Sequence, residues 1–175
     1  LKPFSTTGKA SRELYEIRAE AGHETGCDFL TVGCMGHASQ IALGVALSRR
    51  DRRVFCFDGD GAVIMHMGAL AIIGTAGPDN FRHVVFNNGA HDSVGGQPTA
   101  GLDIDFSSIA RACGYRAAFR AESQKELETL LQPFFSAAGP ALLEIRIRPG
   151  ARGDLGRPRS SPRESKDVFM RRLRS

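Results

Sequence analysis

A chain of 175 residues, 42% of them hydrophobic, is long enough to bury one substantial core, and its net charge of +4 is spread unevenly. Residues 146–175 carry ten Arg or Lys against three acids, whereas the rest holds 13 against 16. No apolar run approaches the roughly 18 residues that span a bilayer, and Cys27, Cys34, Cys56 and Cys113 show no CxxC or Cys/His ligand spacing, which excludes a helical membrane protein, a disulfide frame and a zinc site and leaves a soluble, cytoplasmic chain with reduced thiols.

In chain order, "ASRELYEIRAEA" (10–21) has helical spacing, "FLTVG" (29–33) reads as a strand and "HASQIALGVALSRR" (37–50) as a helix. "RVFCFD" (53–58) is a strand, "AVIMHMGALAIIGTAG" (62–77) a helix and "RHVVFN" (82–87) a strand. "DFSSIARACG" (105–114) is helical, "YRAAFRA" (115–121) a weaker strand, "ESQKELETLLQPFFSAAG" (122–139) helical and "PALLEIRIR" (140–148) a strand. Such alternation predicts βαβ crossovers, and so an α/β fold with an open, mainly parallel sheet and helices on both faces. Residues 1–149 are expected to form this unit, with the basic segment 150–175 in the same domain. Within it, "GARGDLGRPRSSPRESK" (150–166) reads as a mobile tail or a loop ordered by an anion. The basic end lacks aromatic interleaving and any nucleic-acid motif, so an anionic small molecule or a partner subunit is expected there rather than nucleic acid. The sequence opens on Leu1, not Met, which points to a piece of a longer polypeptide or a trimmed subunit.

In an open parallel sheet, ligands sit at the carboxyl ends of the strands. Asp60 follows the strand ending at Asp58, and Asn88 follows the strand ending at Asn87, with one crossover helix between them. Both side chains are therefore expected in one crevice. A carboxylate and a carboxamide oxygen make a hard oxygen site that suits Mg²⁺ when phosphates add ligands. Gly59 permits the tight exit from the strand, and Gly61 lets backbone N–H groups approach a phosphate. Asn87 stays open between a ligand and a structural turn residue. The GxGxxG and Walker fingerprints are absent after the strands.

GDG at 59–61, 25 residues, then NN at 87–88 resembles the thiamine diphosphate motif of the decarboxylase and acetohydroxyacid synthase superfamily, and the turn "GCMGH" (33–37) agrees with it. "TTGKASREL" (6–14), "TVGCMGHASQIALGVAL" (31–47), "DGDGAVIMHMGALAIIG" (58–74), "NNGAHDSVGGQPT" (87–99) and "DLGRPRSSPRESKDVFM" (154–170) are similar, more narrowly, to the phosphonopyruvate decarboxylase family, with sulfopyruvate decarboxylase beta subunits as close relatives.

The resemblance implies that Asp60, Asn88 and the carbonyl of Ala90 hold Mg²⁺, and that Gly59, Gly61 and Ala62 lie at the diphosphate. It also implies that Gly33 and Cys34 meet the aminopyrimidine, with Met35 holding the cofactor bent. Ala62 departs from the Ser or Thr of many relatives, so one hydrogen bond to the diphosphate is expected to be missing or to come only from backbone. The implied reaction is decarboxylation of an anionic 2-oxo acid, with the activating glutamate on a pyrimidine-binding domain of another chain in a dimer or higher oligomer. His91, Asp92 and His37 are the candidate catalytic residues, and Lys9, Arg152 and Arg157 the candidates for the substrate's anionic group. His66 reads as a packing residue. A diphosphate-binding module without turnover is the alternative from another class.

Overall fold

The computed structural model describes residues 2–23, 26 and 28–174; Leu1 and Cys27 lie outside them. The sheet contains β1 (Lys2–Ser5), β2 (Phe29–Leu30), β3 (Val54–Gly59), β4 (Phe81–Asn87), β5 (Ala117–Ala121) and β6 (Ala141–Arg146). They pair in the order β2-β1-β3-β4-β6-β5, every pair parallel, as the alternation of elements predicts.

Side chains alternate between the faces of the sheet, as a period of two requires. On one face Phe4, Val54, Cys56, Phe81, Val85 and Leu142 are buried in one cluster. It is covered by helices α2 (Ala38–Ser48), α4 (Gly68–Ala76) and α5 (Phe106–Ala112). On the other face Phe55, Val84 and Leu143 pack with Leu127 and Phe134 of α6 (Gln124–Ser136). Helix α1 (Lys9–Glu20) is tied to the end of β1 by Ser11, whose hydroxyl donates to the Thr6 carbonyl at 2.6 Å.

Four elements differ from the periodicity. β1 carries no pattern of its own, because "KPFS" is short and contains proline; it is extended because its backbone lies between β2 and β3, with Phe4 fully buried. The strand expected over 29–33 keeps only Phe29–Leu30, since Gly33 and Cys34 turn to φ 69° and 48°. The helix expected over 62–77 is broken into α3 (Asp60–Met65) and α4, because His66 leaves the helical region at φ −130°, ψ 48°. Gly77 then ends α4 in the left-handed conformation that glycine adopts without strain.

The fourth difference is the basic end. Residues Pro162–Arg174 form α7, and its Phe169 and Leu173 join the buried cluster beside Phe4. The preceding loop is held by the protein's own groups. Arg12 donates to the carbonyls of Gly156 and Leu155 at 2.7 and 2.9 Å, and Glu16 accepts from the Gly156 N–H at 2.6 Å and pairs with Arg152.

The sequence signal for α7 is "SPRE". Ser161 Oγ accepts from the Glu164 N–H at 3.3 Å, Glu164 Oε2 accepts from the Ser161 N–H at 2.8 Å, and Pro162 occupies the first helical position. The Ser161 N–H and then its hydroxyl, both donating to Glu164 Oε2, hold that carboxyl below its ordinary range. The stabilisation is therefore present above the ordinary glutamate pKa and is lost as pH falls through the depressed folded value. Ser161→Ala is expected to cost about 1 kcal/mol, read as a lower urea midpoint with an unchanged slope.

Candidate functional site

Four loops converge at the carboxyl edge of the sheet. β1 leads outward to β2, whereas β3 returns to the other side of β1, so a crevice opens between β1 and β3. The Gly33 N–H donates to Thr7 Oγ1 at 3.2 Å, joining the loops after β1 and β2. Gly8, at φ 109°, lies so close to the loop after β4 that a methyl group there would be 3.3 Å from Ser93 Cβ.

The turn after β3 meets both neighbours. A methyl group on Gly61 would be 2.5 Å from His91 Cε1 and 3.2 Å from Met35 Cε. One on Gly36 would be 2.6 Å from His66 Cδ2 and 2.7 Å from the Ala62 carbonyl. Met35, Gly61 and His91 therefore come together, and so do Gly36, Ala62 and His66. His37 immediately precedes α2, its ring centroid 4.2 Å from that of His66 and its Nδ1 3.3 Å from the Cys34 carbonyl. The break between α3 and α4 thus brings His66 against the Gly33–His37 turn, a contact no helical spacing predicts.

Asp60 is 2% exposed and is the first residue of α3. Its Oδ2 accepts from the Thr99 hydroxyl. Asn87 is fully buried, and both ends of its carboxamide are engaged by the protein. Nδ2 donates to the Gly101 carbonyl and to Glu144 Oε1, each at 2.7 Å, while Oδ1 accepts from the Gly89 N–H at 3.2 Å. This residue is an internal brace.

Asn88 is arranged differently. Its Nδ2 donates to Asp92 Oδ2 at 2.6 Å, which fixes the direction of the carboxamide, and among the described residues Oδ1 accepts only the Ala90 N–H, at 3.1 Å. A carboxamide oxygen has two lone pairs, so one remains for a cation. Ala90 forms an isolated antiparallel bridge with Pro98 whose bonds are made by their neighbours, His91 N–H to the Gln97 carbonyl at 2.8 Å and Thr99 N–H to the Gly89 carbonyl at 2.9 Å, so the Ala90 carbonyl points away from Pro98. A buried carboxylate, a directed carboxamide oxygen and a carbonyl fit Mg²⁺, which takes few protein oxygens and shares its shell with substrate phosphates. The donor set brings one negative charge, so a cation arriving with a diphosphate is better matched than a free one.

The remaining candidates lie at the rim. Lys9 opens α1 beside the contact between Gly8 and Ser93. Arg152 pairs with Glu16 and Asp154, and Arg157 is exposed in the loop that crosses α1. That loop is linked to the site through Asp92, whose Oδ2 also accepts from the Gly150 N–H at 2.8 Å.

Beneath the site, Asp58 Oδ2 receives the Cys56 thiol at 3.4 Å and lies 3.0 Å from His83 Nε2, while His83 Nδ1 lies 3.0 Å from the Tyr115 hydroxyl. Burial first, then the Asp58 charge, pushes the Cys56 thiol well above its ordinary range, so it stays a neutral donor and not a nucleophile. Cys34, Cys56 and Cys113 are free thiols. Among the described residues no helix is long and apolar enough to cross a membrane.

Sequence reasoning overlooks Thr7, Thr99, Gly101 and Glu144. The available signal is "GGQPTAG" (95–101), a run of turn formers too dense for a simple connection.

Comparison with known proteins covers the same ground. The phosphonopyruvate decarboxylase of Streptomyces viridochromogenes is 44% identical over 160 residues, 91% of this chain and 39% of that protein. The sulfopyruvate decarboxylase subunit beta of Methanothermobacter thermautotrophicus is 34% identical over 143 residues, 82% of this chain and 71% of that subunit. Transketolase from Campylobacter jejuni shares the fold, with a TM-score of 0.66 at 16% identity over 83% of this chain and 28% of that one. The family described as "Thiamine pyrophosphate enzyme, C-terminal TPP binding domain" matches residues 7–145. That span runs from the Thr7 that holds the Gly33 turn to the end of β6, takes in the loops that meet around Asp60, and shows that the chain belongs to this family.

Proposed function

We propose that this chain is the diphosphate-binding half of a Mg²⁺- and thiamine diphosphate-dependent decarboxylase that converts 3-phosphonopyruvate to phosphonoacetaldehyde and CO₂. The observation that carries the reading is the closing of the loop after β4 onto the GDG turn, with His91 against Gly61 and the Thr99 hydroxyl on Asp60, in a chain 44% identical to a phosphonopyruvate decarboxylase. Asp60, Asn88 and Ala90 hold Mg²⁺. Gly59, Gly61 and Ala62 lie at the diphosphate, where Gly61 leaves room for close approach. Gly33, Cys34 and Met35 form the wall toward the aminopyrimidine, and Thr7 steadies that turn. When bound, thiamine diphosphate supplies the carbanion that attacks the 2-oxo group and the ring that takes up the electron pair released with CO₂.

The chain's own groups exclude water, orient and move protons. His91 packs on Gly61 beside Met35, within the crevice, and is the group placed to deliver a proton to the product. Asp92 orients Asn88 and ties the 150–157 loop to the metal site. His37 lies on the far side of the Gly36 turn. Lys9 meets the phosphonate at the head of α1, with Arg157 at the rim; Arg152 holds the loop through Glu16. The pyrimidine-binding domain, with the activating glutamate, comes from another part of the assembly, a dimer or higher oligomer. A second reading, sulfopyruvate as substrate, is favoured by the 71% of a sulfopyruvate decarboxylase beta subunit that the chain covers.

The test combines this chain with a pyrimidine-binding domain, thiamine diphosphate and Mg²⁺, and assays aldehyde and CO₂ from each 2-oxo acid. Turnover of sulfopyruvate alone would transfer the assignment to the second reading. Cofactor binding without turnover of either would leave a silent binding module. His91→Ala is expected to keep cofactor affinity and slow turnover by about 10²-fold or more. Unchanged turnover would remove His91 from the proton path.

A further inference from the structure

We propose that Thr99 is a positioning residue of the metal site, holding one carboxylate oxygen of Asp60 so that only the other is presented to the cation. The inference rests on the reading of Asp60 as a metal ligand, but not on the identity of the 2-oxo acid.

The Thr99 hydroxyl has its roles assigned by its neighbours. Its oxygen accepts the Gly101 N–H at 3.1 Å, which directs the single hydroxyl proton to Asp60 Oδ2. The turn carrying these groups, Ala100–Leu102, lies flat against Asp60. A methyl group on Gly101 would overlap Asp60 Oδ2 and come within 2.8 Å of both Asp60 Cβ and Asn87 Oδ1.

The turn is itself anchored from the middle of the sheet. The Gly101 carbonyl accepts from Asn87 Nδ2 at 2.7 Å, and the same nitrogen donates to Glu144 Oε1, also at 2.7 Å. Glu144 is fully buried on β6, where Arg146 Nε lies 3.3 Å from the same oxygen. A continuous brace therefore runs from β6 through β4 and the turn to the first residue of α3. It ends on Thr99 and acts on the one acid of the donor set.

This brace has a consequence for the choice of metal. A carboxylate free to rotate can bind a cation through both oxygens, which suits the larger, flexible shell of Ca²⁺. Mg²⁺ demands near-octahedral geometry and single oxygens from each ligand. With Oδ2 held by the Thr99 hydroxyl and covered by the Gly101 backbone, where even a methyl group would overlap it, Asp60 presents its other oxygen to the cation, so Thr99 favours Mg²⁺ over Ca²⁺. Groups that orient metal ligands in this way change affinity by about 10- to 100-fold when removed.

The experiment titrates MgCl₂ and, separately, CaCl₂ into the chain combined with a pyrimidine-binding domain and saturating thiamine diphosphate, without 2-oxo acid, by calorimetry. Thr99→Val is expected to weaken Mg²⁺ about 10-fold or more and Ca²⁺ far less, so that the ratio of the two affinities falls. Thr99→Ser keeps both hydrogen bonds and is expected to restore the ratio; Thr99→Ala repeats the loss without the bulk of valine. An unchanged ratio in Thr99→Val and Thr99→Ala, whether from unaltered affinities or from equal loss of both metals, overturns the proposal and leaves Thr99 as a turn residue. Failure of the unsubstituted protein to bind Mg²⁺ overturns it together with the metal reading of Asp60.

Discussion

Asp60→Ala is expected to abolish magnesium-dependent binding of thiamine diphosphate, with affinity falling by at least about 10²-fold. The proposed protein ligands contribute a single negative charge, and it resides on this residue. Asn88 and Ala90 offer neutral oxygens, so the variant leaves a divalent ion with no charge compensation from the protein apart from that of the diphosphate itself. The fold should survive, because Asp60 stands at the first position of a six-residue helix and its hydrogen-bond partner Thr99 is half-buried and can turn to water. Calorimetry with and without Mg²⁺ measures the effect, and circular dichroism checks the fold. Wild-type affinity in the variant would mean that the GDG turn is not the metal site.

Phe169→Ala is expected to destabilise the chain by about 3–5 kcal/mol, the range for removing a fully buried aromatic ring. Phe169 is 2% exposed, with ring centroids 5.2 Å from Phe4 and 5.4 Å from Phe29 in edge-on contacts. Phe4 and Phe29 belong to β1 and β2, the latter an edge strand of two residues whose packing depends on α7. Removing the ring therefore loosens both the basic end and the margin of the sheet that supports the Gly33 turn. Urea unfolding gives the magnitude. A loss below about 1 kcal/mol would show that α7 is not part of the cooperative unit. Exposed Arg171→Gln on the same helix should change stability by only a few tenths of a kcal/mol, since surface charge contributes little.

Much of this protein is legible in the chain alone. The alternation of apolar strands with amphipathic helices identifies the parallel sheet, because side-chain period depends only on local backbone geometry. The strand-end pair of Asp60 and Asn88 is legible for a related reason: in parallel sheets the carboxyl ends share one edge, so a motif after one strand and a motif after its neighbour must face the same crevice. The Gly33–Gly36 turn is visible in its glycines.

The helix break at His66 is harder to see. Nothing in "IMHMG" forbids a continuous helix, and the packing of His66 on Gly36 and His37 is what turns the chain there. For α7 the capping residues were in plain view at Ser161 and Glu164, but a run of arginines with few apolar residues reads as solvated until Phe4 and Phe29 supply a surface for Phe169 to bury.

The sequence by itself determined the layered α/β architecture, the family and the residues proposed to hold a metal and a diphosphate, because each depends on local patterns and on strand ends. Only the tertiary structure gave a role to Asn87, left open by the sequence, turning it inward to Glu144, 57 residues away in sequence, while Asn88 is directed by Asp92. It alone also set Thr99 against Asp60, 39 residues apart. Hydrogen bonds between groups so distant along the chain leave no periodic trace; they follow from which strands become neighbours, and that is settled by burial of the whole core at once.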